Sequence, residues 1–153
     1  MADRDRTRDR DRDRPKLAPG ELPAPAPYPT LETQEFWDGT ARGELLLKRC
    51  DDCDVVIWYP RSRCPGCGSR ATSWFRASGR GTVYSCSVTR KGQGRYRDAG
   101  PFVLAYVELE EGPRLMTNIV DCDPESVKIG QAVELVFHDT GEGTALPRFR
   151  PAR

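Results

Sequence analysis

Two pairs of cysteines constrain the fold of this chain more than any other feature. The first CxxC pair is formed by Cys50 and Cys53. After ten intervening residues, Cys64 and Cys67 form the second pair. Each pair can form a tight turn that directs two thiolates to one point, and the spacing suits a short hairpin between the turns. Four thiolates arranged in this way form a tetrahedral site that zinc accepts, so we predict a structural zinc site.

The residues after each pair support this prediction. Such turns are often followed by a left-handed backbone position, which Gly68 adopts easily and Asp54 more readily than most residues. Two disulfides or a redox motif explain two pairs less well. A rubredoxin-type iron site uses the same ligands, so zinc and iron both stay open. Because four thiolates fill the coordination sphere, we expect the metal to hold the fold and not to catalyse.

Length and charge narrow the function classes. The chain has 153 residues, enough for one domain plus a small appendage. Its 24 basic and 23 acidic residues give a net charge of +1, so no global bias favours nucleic acid or anionic membranes. No stretch approaches a membrane span, and the first residues lack the apolar core of a signal peptide. We expect a cytoplasmic protein, where paired thiols favour metal over disulfide.

The remaining cysteines do not form an obvious catalytic site. Cys86 and Cys122 lie in or beside apolar, strand-like runs, where buried inert thiols are common. A catalytic cysteine needs an activating partner, and His138 is the only histidine in the sequence. Nothing in the sequence places it near either thiol, and we expect no catalytic residue in this chain.

The N-terminal region has the composition of a disordered segment. Residues 3–14 alternate arginine and aspartate and contain no apolar side chain to bury. Residues 15–29 continue as a spacer rich in proline and alanine. We therefore predict that residues 1–29 are disordered and that ordered structure begins near Thr30.

A short helical region is predicted over residues 30–43. Thr30 can cap a helix over residues 31–41, which carries the aromatic pair Phe36 and Trp37. The two aromatic rings could dock the helix onto its own domain. Alternatively, they could form a partner interface, because so short a helix is marginal unless its apolar side is covered.

The rest of the chain is predicted to be mainly β. Residues 44–70 carry the strand–turn–strand–turn order of a rubredoxin-like zinc ribbon, which depends on metal for its fold. Residues 71–153 show several strands and little helix, which favours a five-stranded OB-fold barrel. The strand-like runs are 73–75, 82–89, 102–109, 115–120 and 132–137.

This order of features resembles the DUF35 family, whose members combine a zinc ribbon with an OB fold. In the first half, the motifs that carry the resemblance are Phe36-Trp37 with Gly39, residues 43–50, Cys53, Pro60-Arg61, residues 64–68 and Trp74. In the second half they are residues 78–84, 101–109, 112–115, 129–130 and 147–149. Each motif is weak alone, but the combination covers residues 31–151.

The resemblance implies a function in acyl-CoA metabolism. Proteins of this family are typically non-catalytic partners of thiolase-like enzymes, including thiolases and lipid-transfer-protein-type aldolases, and some act in bacterial sterol side-chain breakdown. It therefore implies an accessory subunit of such an enzyme, which we expect to form a heterotetramer around an enzyme dimer. Other relatives associate with MaoC-like enoyl-CoA hydratases, so a hydratase complex is the alternative.

Two further readings concern ligands. Arginine forks suit the phosphates of CoA, and five basic residues lie on predicted turns or loops where an OB barrel usually binds ligands. These acyl-CoA candidates are Arg80, Arg90, Lys91, Arg95 and Arg97. The rival is a single-stranded nucleic-acid binder, which needs a positive groove with stacking aromatics. Without residues 3–14 the totals fall to 18 basic and 18 acidic residues, which disfavours it.

Overall fold

The computed structural model describes residues 21–153, which contain one α-helix and eight β-strands. The helix α1 spans Gln34–Ala41. The strands are β1 (Leu46–Cys50), β2 (Val56–Ile57), β3 (Thr72–Arg76), β4 (Arg80–Thr89), β5 (Phe102–Leu109), β6 (Arg114–Ile119), β7 (Ala132–Asp139) and β8 (Ala145–Pro151). None of the helices in this part of the chain has the length and apolar character that a membrane crossing requires.

The first three strands form a small antiparallel sheet in the order β2-β1-β3. Strand β2 has only two residues, so one side of β1 has few partners there. Strand β3 pairs with all of β1, from Leu46 opposite Arg76 to Cys50 opposite Thr72. The ribbon sheet therefore extends to Arg76, and the predicted boundary at residue 70 came too early. The run 73–75, predicted as a barrel strand, belongs to this sheet.

The last five strands form a closed barrel in the order β4-β5-β6-β8-β7. All neighbouring pairs are antiparallel except β6 and β8, which run parallel and meet at Ile119 and Phe149. The predicted five-stranded OB-fold barrel is confirmed. Its fifth strand is β8, which the hydrophobic pattern missed because Pro147 and Arg148 interrupt the apolar alternation.

The ribbon and the barrel share one hydrophobic core. Barrel side chains such as Val103, Val107 and Phe149 are fully buried in it. The same cluster includes Leu45 and Leu47, which lie in or directly before β1. The two regions are therefore packed together through apolar contacts, which contribute stability in proportion to the area that they bury.

The helix begins later than the sequence indicated. Residues 31–33 form a turn, and the carbonyl oxygen of Thr30 accepts hydrogen bonds from the N–H groups of Thr33 (3.0 Å) and Gln34 (2.8 Å). The hydroxyl of Thr33 is buried and bonds back to Thr30 rather than capping the helix. The predicted start at residue 31 with Thr30 as the cap was therefore wrong by one turn.

Ordered structure also begins earlier than Thr30. Residues 1–20, which include the alternating arginine–aspartate run, lie outside the described residues. Residues 21–27, which we call the strap, run along the barrel, and Leu22 is buried against Ala99 and Val120. A single leucine in a proline-rich stretch is a weak sequence signal, so its anchoring role was missed.

Candidate metal centre and surrounding surfaces

The four predicted ligand cysteines converge on one point. All four Sγ atoms lie within 4.8 Å of one another. The Sγ atoms of Cys50 and Cys67 are 3.6 Å apart, as are those of Cys53 and Cys64. Zinc–sulfur bonds of about 2.3 Å in a tetrahedron place the sulfur atoms about 3.8 Å apart. The cysteines thus fit a zinc ion, which would stabilise the two turns without an open coordination position.

The two CxxC turns have matching backbone geometry. The N–H of Asp54 donates to the carbonyl of Cys50 over 3.0 Å, and the N–H of Gly68 donates to the carbonyl of Cys64 over 2.9 Å. Asp54 has φ of 60° and Gly68 has φ of 77°. The predicted left-handed positions after both pairs are confirmed. A β-branched residue at either position would strain the turn and displace a thiol.

The local electrostatics favour loss of a proton from one thiol first. The backbone N–H groups of Cys67 and Gly66 lower the pKa of Cys64 to about 7, although burial opposes them. The N–H of Val55 lowers the pKa of Cys53, but the three neighbouring thiols outweigh it and raise that pKa. Deprotonating all four thiols together therefore requires a cation at their centre.

Two basic residues of the ribbon bond to its loops. The ammonium group of Lys48 lies 4.9 Å from the centroid of the Trp74 ring and bonds the carbonyl of Arg61 over 3.4 Å. The guanidinium of Arg63 donates to the carbonyl of Gly68 over 3.1 Å. Arg63, which bonds to the residue after Cys67, would offset part of the negative charge that a metal with four thiolates carries.

The two aromatic residues of α1 have different environments. Phe36 is only 1% exposed, with its ring centroid 4.8 Å from that of Trp37 and 5.4 Å from that of Trp58. The prediction that Phe36 forms a partner interface was wrong, because it packs into the shared core. Trp37 is half-buried, and its indole N–H donates to the hydroxyl of Tyr59 over 2.9 Å.

Trp37 lines a groove between the helix, the ribbon and the barrel. We call it the aromatic groove. Its volume is about 200 Å³, and its lining includes Trp37, Trp58, Tyr59, Met116, Leu146 and Pro147. Sequence reasoning found Trp37 but missed Trp58 and Tyr59. Their run of apolar residues indicated only a strand, which ends before them at Ile57.

Exposed apolar side chains continue from this groove over the barrel. Tyr106 on β5 lies directly opposite Met116 on β6, and 46% and 60% of their surfaces are exposed. Tyr84 and Leu104 are also exposed, and Tyr84 stacks under the guanidinium of Arg114 at 3.5 Å. We call Tyr84, Leu104, Tyr106 and Met116 the outer barrel face. Neither their exposure nor their continuity with the groove could be read from the sequence, because residues 103–107 are a continuous apolar run.

Among the five basic residues predicted to bind CoA, Arg80 lies apart from the other four. Arg80 begins β4 and Arg90 follows its end, so the two are about 30 Å apart along the strand. Arg80 pairs with Glu110 over 2.8 Å, and Arg90 pairs with Glu125 over 2.7 Å. A single site that contains both Arg80 and Arg90 would have to span the length of β4.

Four of these residues lie on the loop between β4 and β5, and among them Arg90 alone has a described carboxylate partner. Lys91, Arg95 and Arg97 are exposed between β4 and β5, in a loop with one short turn of 3₁₀-helix. The loop folds back on itself, which brings the backbone of Gly92 against that of Tyr96. A Cβ atom at Gly92 would lie only 2.0 Å from the carbonyl oxygen of Tyr96. The loop presents three cations that have no described carboxylate within ion-pair distance.

The remaining titratable candidates lie apart from the metal centre. Nδ1 of His138 accepts a 2.9 Å hydrogen bond from Nη1 of Arg148, so this nitrogen is not paired with a thiol. Burial raises the pKa of Cys122, with smaller contributions from Asp121 and Asp123 in the same direction. Cys122 is thus a weak nucleophile at neutral pH.

Comparison with known families agrees with both parts of this architecture. Residues 37–73 match the family described as "ChsH2, rubredoxin-like zinc ribbon domain", and residues 74–138 match "ChsH2, C-terminal OB-fold domain". Among solved structures, the chain is similar to the "Ltp2-ChsH2(DUF35) aldolase". The TM-score is 0.76 at 33% identity, and the match covers 84% of this chain and all of that one.

Two relatives differ in how much of their own length this chain matches. A "DUF35 domain-containing scaffold protein" of Methanothermobacter thermautotrophicus is 39% identical over 102 residues, which are 66% of this chain and 77% of that protein. The "3-oxo-4,17-pregnadiene-20-carboxyl-CoA hydratase alpha subunit" of Mycobacterium tuberculosis is 33% identical over 119 residues. That match covers 74% of this chain but only 36% of the hydratase subunit. With its zinc ribbon of four cysteines and its OB barrel, the chain belongs to the DUF35 family.

Proposed function

We propose that this protein is a non-catalytic accessory subunit that binds a thiolase-like enzyme, either an aldolase or a thiolase, and supports its acyl-CoA chemistry. The similarity to the Ltp2-ChsH2(DUF35) aldolase carries this proposal, because it spans 84% of the chain at 33% identity. The DUF35 relative described as a scaffold protein supports a role in assembly.

The chemistry of the chain supports an accessory role. The four thiolates of the metal centre leave no coordination position for a substrate or a water molecule. His138 is engaged with Arg148 and is not available to activate a nucleophile. The reaction would therefore take place on the partner enzyme, and this chain would contribute binding surface.

The aromatic groove and the outer barrel face together form the surface that we assign to the partner. Their exposed side chains are aromatic or apolar, as in the centres of protein interfaces. Arg114 and Glu108 form the one described ion pair on this face, at 2.6 Å, and their opposite charges neutralise each other. A partner therefore needs to supply apolar side chains here and no charge. With an enzyme dimer at the centre, two copies give a heterotetramer.

An acyl-CoA is the substrate class that we propose for the complex. The Mycobacterium tuberculosis relative is named for a steroid-derived CoA thioester, which favours steroid side-chain degradation. The loop cations Lys91, Arg95 and Arg97 are the residues of this chain that could contact CoA phosphates. Arg80 and Arg90 remain candidates only for separate contacts, because each already has a carboxylate partner.

Co-expression with a thiolase-like enzyme, followed by size-exclusion chromatography, tests the proposal. We expect co-elution at equal stoichiometry, and loss of the complex when Met116→Glu and Tyr106→Glu place charges on the outer barrel face. Ile129→Glu is the matched control, because Ile129 is 70% exposed and lies in the turn before β7 rather than on β5 or β6. Failure to co-elute, or equal loss with the control, would count against this interface.

A hydratase complex is the second candidate. The relative named as a hydratase alpha subunit favours it, since its extra length accommodates a further domain. The same co-expression experiment with a MaoC-like hydratase distinguishes the two candidates. Binding of an oligonucleotide in place of either enzyme would instead favour the nucleic-acid interpretation, because OB folds bind such ligands on the corresponding strands.

A further inference from the structure

Arg148 is a buried cation without a carboxylate partner. It is only 2% exposed on β8, and no described acidic group lies within ion-pair distance of it. Two residues further along the strand, Arg150 pairs with Glu134 over 2.7 Å. The position across from Arg148 is Val136, so the sheet supplies no counter-charge. A buried charge that is not compensated is costly, and an apolar residue of similar size would avoid this cost.

The strap supplies the oxygen atoms that contact this cation. Nη1 of Arg148 donates to the carbonyl of Leu22 over 3.2 Å, and Nη2 donates to the carbonyl of Pro23. The hydroxyl of Tyr96 also donates to the carbonyl of Pro23, over 3.3 Å. Two oxygens on the two terminal nitrogens of a guanidinium reproduce the way in which arginine binds a carboxylate or a phosphate. Peptide carbonyls, however, carry only partial negative charge.

Besides these three hydrogen bonds to its carbonyl oxygens, few contacts hold the strap in place. Its buried anchor is Leu22, and no backbone hydrogen bond joins residues 21–27 to a strand in the described structure. Pro23, Pro25 and Pro27 have no N–H group to donate. A segment attached in this way can detach without disrupting the barrel, and its departure would expose Arg148, His138 and Tyr96 together.

From these observations we infer that Arg148, His138 and Tyr96 form a binding site for an oxyanion, and that the strap is a displaceable plug whose carbonyl oxygens occupy the ligand position. The ligand class is a small molecule that bears a carboxylate or a phosphate group. Arg95 and Arg97 flank Tyr96 in the sequence and are exposed, so they place positive charge in its neighbourhood. The site lies apart from the metal centre and does not depend on the proposed partner enzyme.

Binding of inorganic pyrophosphate and of acetate to the full chain tests this inference. Leu22→Ser weakens the apolar anchor without adding charge. We expect one of these anions to bind the Leu22→Ser protein at least tenfold more tightly than the wild type by calorimetry. Preference for pyrophosphate or for acetate assigns the ligand to phosphates or carboxylates. Adding Arg148→Met should abolish the gain, whereas Arg95→Ala with Arg97→Ala should only reduce it.

The NMR signals of the Leu22 methyl groups in the wild-type protein are a second measurement that needs no substitution of Arg148. Saturating anion should shift these signals, because displacement of the strap removes the Leu22 side chain from Ala99 and Val120. Unchanged signals, failure of both anions to bind the Leu22→Ser protein, or binding that survives Arg148→Met would each overturn the inference.

Discussion

The ribbon and the barrel are stabilised in different ways although they share a core. The barrel is filled by side chains such as Val103, Val107 and Phe149, which are fully buried. At the far end of the ribbon, the buried cluster consists only of Cys50, Ile57 and Cys64, and two of these are metal ligands. The barrel is thus stabilised by the shared apolar core, whereas the tip of the ribbon would depend on the metal ion that its four cysteines fit.

Cys64→Ser should have the largest effect, and it should act on the ribbon alone. In zinc-finger peptides, structural zinc contributes about 10–16 kcal/mol to the free energy of folding. Loss of one ligand should therefore remove the metal and unfold the tip of the ribbon. We expect the zinc content to fall from one per chain to near zero. All three tryptophans lie in α1, in β3 or next to β2, so their fluorescence should report the change.

The control for this experiment is Cys86→Ser, which changes a half-buried thiol in β4 that is not near the metal centre. It should leave the zinc content unchanged. If Cys64→Ser also abolished the β-sheet signal of the barrel in circular dichroism, the two regions would unfold as one unit. That result would contradict the conclusion that they are stabilised in different ways.

Phe149→Ala should destabilise the barrel and leave the metal centre intact. Phe149 is fully buried on β8, so the cavity that it leaves should lower the free energy of unfolding by about 3–5 kcal/mol. Chemical denaturation measures this change, and the zinc content should stay at one per chain. Phe75→Ala on β3 of the ribbon is the matched control, and its cost should be smaller because Phe75 is only half-buried. Equal costs would contradict a core centred on the barrel.

The metal centre could be predicted from sequence because its constraints are local. The CxxC spacing and the residues Asp54 and Gly68 determine the turn geometry within a few positions, and the structure brings the four thiols together. The OB fold was predictable for a similar reason, since each strand carries its own alternation. The assignment of individual strands was less secure, because 73–75 and β8 depend on which strand they pair with.

The errors concern contacts between distant parts of the chain. Phe36 resembles an exposed residue of a short helix, but Trp58 and the core cover it. Arg80 and Arg90 are similar in sequence context, yet a single long strand separates them. Leu22 lies in a stretch whose composition is typical of disorder, and only its contact with the barrel reveals its role. No local pattern encodes such contacts.

Thr40→Val tests the joint between the helix and the barrel. The buried hydroxyl of Thr40 donates to the carbonyl of Trp37 over 2.7 Å and accepts from the N–H of Ala145 on β8 over 3.1 Å. Valine keeps the shape but leaves the buried N–H without a partner, which should cost about 1–3 kcal/mol in unfolding free energy. Thr40→Ser keeps the hydroxyl and should cost less. If both variants were equally stable, this joint would not couple the two regions.

The smallest effect should be a dependence of the strap on pH. Burial lowers the pKa of His138, and the charge of Arg148 lowers it further, whereas Asp121 and Glu21 oppose both. Because the closed state binds fewer protons, closure of the strap should be fully stabilised above the ordinary histidine pKa and weaken as the pH falls through the lowered value. NMR signals of Leu22, followed from pH 8 to about 5 around the ordinary pKa, measure this opening. His138→Gln can still accept from Arg148 but does not titrate, so its strap should respond little to pH, and an equal response in both proteins would assign the effect to another group.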